Sequence, residues 1–135
     1  MSGIVHLATL LRSMSPKVLE GEFVFLSFAN CTYGAHAHLA PIGGFIEAEG
    51  LTLIVPRVQA DSHQLSYDGV FCCISLHVHS SLSAVGLTAA VADALTVENI
   101  SANVVAAYYH DHVFVPAQRT QDALAALQRL SQNPN

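Results

Sequence analysis

Charged side chains are what this sequence has least of: five Lys and Arg and ten Asp and Glu in 135 residues, 11% of the chain, where an ordinary globular domain has roughly 25%. Five scattered cations and a net charge of −5 cannot neutralise a row of phosphates, which excludes nucleic acid as a partner. Cysteine is scarce too. Three residues, an odd number with Cys72 and Cys73 adjacent, do not make a disulfide framework, and a reducing cytoplasm is the expected location. Residues 23–46 and 70–92 carry no Asp, Glu, Lys or Arg at all, yet neither reads as a membrane span. The first holds Asn30, His36, His38, Pro41 and two adjacent glycines, the second His77, His79 and four serines, all costly in hydrocarbon. Arg12 follows Leu10 and Leu11, the reverse of the basic-then-apolar order of a secretory leader. No G-x-S-x-G, P-loop or G-x-G-x-x-G pattern occurs, and no spacing of Ser, His and Asp singles out a nucleophile. Neither catalysis nor a cofactor is expected.

What is present is apolar. A hydrophobic share of 52% excludes disorder, fills a core, and leaves apolar surface for a partner, so a homo-oligomer is expected. Leu7, Leu10, Leu11 and Met14 stand at helical spacing, predicting a helix over residues 4–14 that Ser15-Pro16 ends. Residues 22–28 read as a strand buried on both faces. Residues 29–44 form a long irregular loop, either functional or flexible. Strand text resumes at Phe45-Ile46, turns at Glu49-Gly50 and runs from Leu51 to a stop at Pro56. The polar segment 59–69 is the only internal boundary.

Beyond it the pattern sharpens. Residues 70–79 alternate as a strand, with Ile74, Leu76 and Val78 on one face and Ser75, His77 and His79 on the other. Residues 80–84 turn, Val85, Thr88, Ala89, Ala92 and Leu95 repeat as a helix, and Asn99 is a natural left-handed stop. Residues 101–109 read as a strand with Tyr108 and Tyr109 on opposite faces, one in the core and the other available to an interface or ligand, His110-Asp111 as a hairpin tip, and 113–115 as the return strand. Thr120 opens a last helix with Leu124, Leu127 and Leu130 on one face, lined by Ala123 and Ala126. This β-α-β-β-α order is a ferredoxin-like split βαβ short of its fourth strand. The strand at 23–28 is the candidate to cover the open edge, interlocking the two halves.

The text Val78-His79-Ser80-Ser81-Leu82, followed by Ala84-Val85-Gly86-Leu87-Thr88-Ala89-Ala90-Val91 and later by Asn103-Val104-Val105-Ala106-Ala107-Tyr108-Tyr109-His110-Asp111-His112-Val113-Phe114-Val115-Pro116, resembles the small bacterial stand-alone ACT-domain proteins. Gly21-Glu22-Phe23-Val24-Phe25 and Glu47-Ala48-Glu49-Gly50-Leu51-Thr52-Leu53 resemble their family-specific N-terminal half. The resemblance implies an α+β chain of two interlocked ferredoxin-like (βαββαβ, ACT-type) units with antiparallel sheets, an N-terminal ACT-like unit over residues 1–66 and an ACT domain over 67–135. It also implies a regulatory module related to those of aspartate kinase, without catalysis of its own, that binds a small molecule of the amino-acid class, forms a homodimer or larger assembly, and answers to an enzyme partner. Many ACT domains carry an Asp and a Pro-Gly in the loop after the first strand; here that loop is Ser80-Ser81-Leu82-Ser83-Ala84-Val85-Gly86, with neither. An ammonium group would have to meet carbonyls, hydroxyls or an acid from elsewhere.

The ligand-binding candidates are Ser80, Ser81, Val85, Gly86, Leu87, Thr88, Asn103 and Val104. Free N–H groups and the positive dipole end at a helix start favour a carboxylate, and Asn103 offers both a donor and an acceptor. The structural alternative is that the serines are caps, Gly86 permits close packing and Asn103 ties a turn. Histidine stands out, with eight residues and three H-x-H pairs, His36/His38, His77/His79 and His110/His112. Positions i and i+2 share a strand face, so His77 and His79 could ligate a metal with help from Cys72 or Cys73. No C-x-x-C or H-E-x-x-H accompanies them, and a polar turn explains His110 and His112 equally well. An assembly module without a ligand and a histidine-based metal protein are the alternative functions.

Overall fold

The computed structural model describes residues 3–78 and 85–133. The chain packs as two units, Met1–Leu19 with Cys72–Asn135, and Glu20–Phe71.

The larger unit is organised by the alternation along strand β5. Its members in chain order are helix α1 (Gly3–Ser13), strand β1 (Ser15–Val18), β5 (Phe71–His77), helix α3 (Leu87–Val97), the hairpin of β6 (Asn103–Ala106) and β7 (Asp111–Pro116), and helix α4 (Thr120–Gln132). Ile74, Leu76 and Val78 are buried on one face of β5, as the alternation predicts, and Val113 and Val115 of β7 join them. Onto that face α3 sets Leu87, Val91 and Leu95, one turn apart, and α4 sets Ala123, Ala126 and Leu127. Asn99 takes the left-handed conformation (φ +57°) past the end of α3, and Arg119 Nη2 donates to the Glu98 carbonyl at 3.1 Å, satisfying a carbonyl of that helix end.

The fourth strand of this unit corrects the sequence expectation. Phe23 of the 23–28 strand reaches only the first residue of β5, pairing with Phe71. The ladder along β5 belongs to β1, antiparallel from Ser15 opposite His77 to Val18 opposite Ile74, and is extended by the Leu19 N–H donating to the Cys73 carbonyl at 2.9 Å. The strand order β1-β5-β7-β6 completes the four-stranded ferredoxin-like sheet. Pro16, read as a helix stop, is tolerated inside β1 because an edge strand has one side with no ladder to feed. The hairpin tip also moves. The Ala107 N–H donates to the His110 carbonyl at 3.1 Å, which places Tyr108 and Tyr109 at the turn, 76% and 73% exposed. Neither is in the core, contrary to the expectation that strand alternation would bury one of them.

The smaller unit holds β2 (Phe23–Phe28), β3 (Gly43–Glu47), β4 (Gly50–Pro56) and the short helix α2 (Arg57–Ser62). The strands run antiparallel in the order β3-β4-β2. The predicted hairpin turns at Gly50, whose φ of +148° and the Phe28 carbonyl, 2.7 Å from where a Cβ would stand, leave room for glycine alone. Residues 29–42 take the place that α3 holds in the other unit and contain only a 3-10 turn, Ala37–Leu39, whose Leu39 is fully buried among Val24, Leu26, Leu51, Leu53, Val55 and Ala60. Helix α2, unseen in the polar text of 59–69, is tied to β2: Arg57 Nη1 donates to Glu22 Oε1 at 2.8 Å and the Arg57 N–H to the Glu22 carbonyl at 2.8 Å. Arg57 Nε donates to the Tyr67 hydroxyl at 3.0 Å, and that hydroxyl donates to Asp61 Oδ1 at 2.7 Å.

Candidate functional site

Helix α3 begins at Leu87, two residues after Val85 opens the predicted repeat, and it buries Leu87, Val91 and Leu95 where the repeat named Val85, Thr88, Ala89, Ala92 and Leu95; Val85, Thr88 and Ala89 are exposed, and Gly86 before the helix sits at φ +96°. That left-handed backbone suits glycine. No side chain among the described residues caps the helix; its first internal bond runs from the Ala90 N–H to the Gly86 carbonyl at 2.9 Å. An uncapped start presents N–H groups and the positive dipole end to whatever approaches, the arrangement that receives a carboxylate. A Cβ on Gly86 would stand 3.0 Å from Leu7 Cδ2, so helix α1 approaches the same turn.

Of the candidates, Ser80 and Ser81 lie outside the described residues. Val85 is 82% exposed beside the helix start and Thr88 is exposed on its first turn. Leu87 gives its side chain to the core, leaving its backbone N–H for a ligand. Val104 packs against the core on the helix side of the sheet. Asn103, its neighbour on β6, points to the opposite face, where its Nδ2 donates to the Phe114 carbonyl across the hairpin at 3.4 Å. Val85, Gly86, Leu87 and Thr88 therefore lie together at the helix start, and the Asn103 side chain is engaged with the Phe114 carbonyl on β7.

The histidines assemble in a way their spacing alone does not reveal. Strand neighbours β5 and β7 bring His77 and His110 from two different pairs into a parallel stack, 4.5 Å between centroids and 4° between planes. The Nδ1 atoms of His110 and His112 are buried without a hydrogen-bond partner. Burial first, then His110 and His77, lowers the pKa of His112, against the pull of Asp111 in the other direction. Cys73 alternates onto the same face as His77, but burial, with Cys72 beside it, pushes its thiol up to about 12. A neutral thiol of that kind is a small hydrophobe, not a ligand or nucleophile. His79 lies outside the described residues. In the smaller unit, His36 and His38 meet a histidine that no motif connects to them, His63 at the end of α2. As placed, no three His, Cys, Asp or Glu side chains among the described residues converge on a metal position. Among the same residues no helix is long and apolar enough to cross a membrane.

Two ACT-domain family models match the chain, one over residues 2–73 and the other over 70–129. A solved structure from Vibrio cholerae, described as a protein of unknown function and possible transport protein, is 45% identical, with 96% of this chain and 99% of that one covered and a TM-score of 0.86. The ligand-free regulatory subunit of aspartate kinase from Thermus thermophilus shares the fold at 12% identity and a TM-score of 0.60, covering 86% of this chain and 94% of that one. The E. coli aspartokinase III solved with aspartate and ADP does so at 11% identity and a TM-score of 0.58, over 89% of this chain and 33% of the enzyme. No curated protein matches. ACT domains are, in general, regulatory modules that bind small molecules. The matched models extend over nearly the whole sequence, and with a 45% identical neighbour spanning the same length, the chain belongs to the ACT-domain family.

Proposed function

We propose that this protein is a regulatory ACT-domain protein without catalytic activity of its own. It acts in the cytoplasm as a homo-oligomer, with its modules at residues 1–66 and 67–135, and passes the binding of an amino acid to a partner enzyme. The observation that carries the reading is the uncapped start of α3 at Gly86. Its N–H groups receive the ligand's carboxylate, with Thr88 and the serines at 80 and 81 as hydroxyl partners. The ammonium group meets backbone carbonyls, since the loop sequence offers no acid.

A thermal-shift panel of the twenty amino acids tests this. One or two of them should raise the unfolding midpoint, by the equivalent of about 2.7 kcal/mol at a hundredfold excess over Kd. Val85→Asp, at an exposed position beside the helix start, adds a charge that suits the dipole but repels a carboxylate. It should leave the fold intact and abolish the shift. If no amino acid moves the midpoint at millimolar concentration, or if Val85→Asp leaves the shift unchanged, the proposal fails and an assembly module without a ligand takes its place.

A further inference from the structure

We infer that the tip of the β6–β7 hairpin, residues 106–112, is a proton-operated opening element: His77, His110 and His112 hold it closed while their rings are neutral and release it when they take up protons. It is independent of the α3 site. His77 is the last residue of β5 and Asp111 the first of β7, so the three rings stand where these neighbouring strands end. Those of His77 and His110 are stacked face to face, 4.5 Å between centroids and 4° between planes. The Nδ1 atoms of His110 and His112 are buried with no hydrogen-bond partner.

A neutral imidazole carries its proton on one nitrogen and leaves the other bare, whereas an imidazolium carries a proton on both and needs an acceptor for each. Protonation of His110 or His112 therefore turns a bare buried nitrogen into a buried donor on a charged ring, with no acceptor in place. A second proton in the cluster adds repulsion between cations at stacking distance. Asp111 pulls the other way, but at His112 burial, His110 and His77 outweigh it. From β6, Val105 and Ala106 stand opposite His112 and Asp111. From β1, Ser15 stands opposite His77 and Lys17 opposite Ser75. Tyr109 faces the cluster from the turn, its ring centroid 6.5 Å from that of His110, and Cys73, on the His77 face, keeps its proton. Of these groups Asp111 alone is anionic, so the added charge is met by water once the strand end parts. The tip can part by itself. The hairpin ladder ends at Ala106 opposite Asp111, and the Ala107 N–H closes the turn on the His110 carbonyl. Val113 and Val115, next along β7, are fully buried in the core and anchor the rest of the strand.

Amide hydrogen exchange of the full-length protein at pH 7.5 and pH 5.0, with each rate set against the intrinsic rate at its pH, reads out this opening. Protection at the tip, the Ala107 amide included, should fall at least tenfold more on acidification than protection at Val113–Val115 and Ile74–Leu76. His112→Gln should remove most of that extra fall, and His77→Gln, which takes away the stacked ring, should remove part of it. His63→Gln in the smaller unit should remove none. Equal falls at the tip and at Val113–Val115 would mean that the unit loosens as a whole and would overturn the element. An absent extra fall, or one undiminished in both His112→Gln and His77→Gln, would overturn it too.

Discussion

A histidine with a buried, unpartnered ring nitrogen gives up its proton sooner than one in water, and at His112 this becomes a dependence of stability on pH. Burial, His110 and His77 lower its pKa in the folded protein, and Asp111 opposes them, while in the unfolded chain it returns to about 6.5. Above that value both states are neutral and folding is not penalised. As the pH falls below it, the unfolded chain takes up a proton that the folded one refuses, so stability declines until the lower folded value is passed. Urea midpoints at pH 7.5 and pH 5.0 should therefore separate widely in the wild type and less widely in His112→Gln. An equal separation in both would show that His112 is not the group responsible. The sequence offered the H-x-H pairs as three isolated motifs. It could not show that His77 stacks on His110 or that His38 meets His63, because these contacts depend on which strands and turns become neighbours.

At the scale of the element, α4 shows what periodicity conveys and where it stops. The spacing of Leu124, Leu127 and Leu130 predicts one apolar face, and the helix forms over Thr120–Gln132. Ala123 and Ala126, which line that face, are inside with Leu127, itself at 0% exposure, as expected, while Leu124 and Leu130 are only partly buried. Leu127→Ala should cost about 2–5 kcal/mol in chemical denaturation, the range for a core leucine leaving a cavity. Leu124→Ala should cost clearly less, and equal losses would contradict the stripe. Helix α3 was legible as an element, but its face was misplaced: of Val85, Thr88, Ala89, Ala92 and Leu95 only Leu95 is buried, beside Leu87 and Val91. The β3–β4 hairpin was legible because the turn at Gly50 expresses a local rule. Strand β1 was not, because Ser15-Pro16-Lys17-Val18 has no alternation of its own and becomes a strand only by borrowing the ladder of β5. The exposed tip at Tyr108 and Tyr109 was hidden for the opposite reason: aromatic residues carry strand propensity wherever they stand.

For the whole molecule, sequence modules and packing units do not share boundaries. The family models meet near residue 70, yet residues 1–19 pack with 72–135, so the larger unit closes only when the two ends of the chain come together. Leu11 and Met14 are buried in that core, Ser131 Oγ donates to the Met14 carbonyl at 3.0 Å, and β1 supplies the outer ladder of the sheet. Each large apolar side chain so buried contributes about 1.5–3 kcal/mol, and a domain holds only about 5–15 kcal/mol in total. A fragment of residues 67–135 loses both side chains and the strand together. It should show no cooperative thermal transition and poor dispersion of its amide resonances, and a synthetic peptide of residues 1–19 should restore both when added in excess. If the fragment folds cooperatively without the peptide, α1 and β1 are dispensable decoration on a self-sufficient C-terminal module.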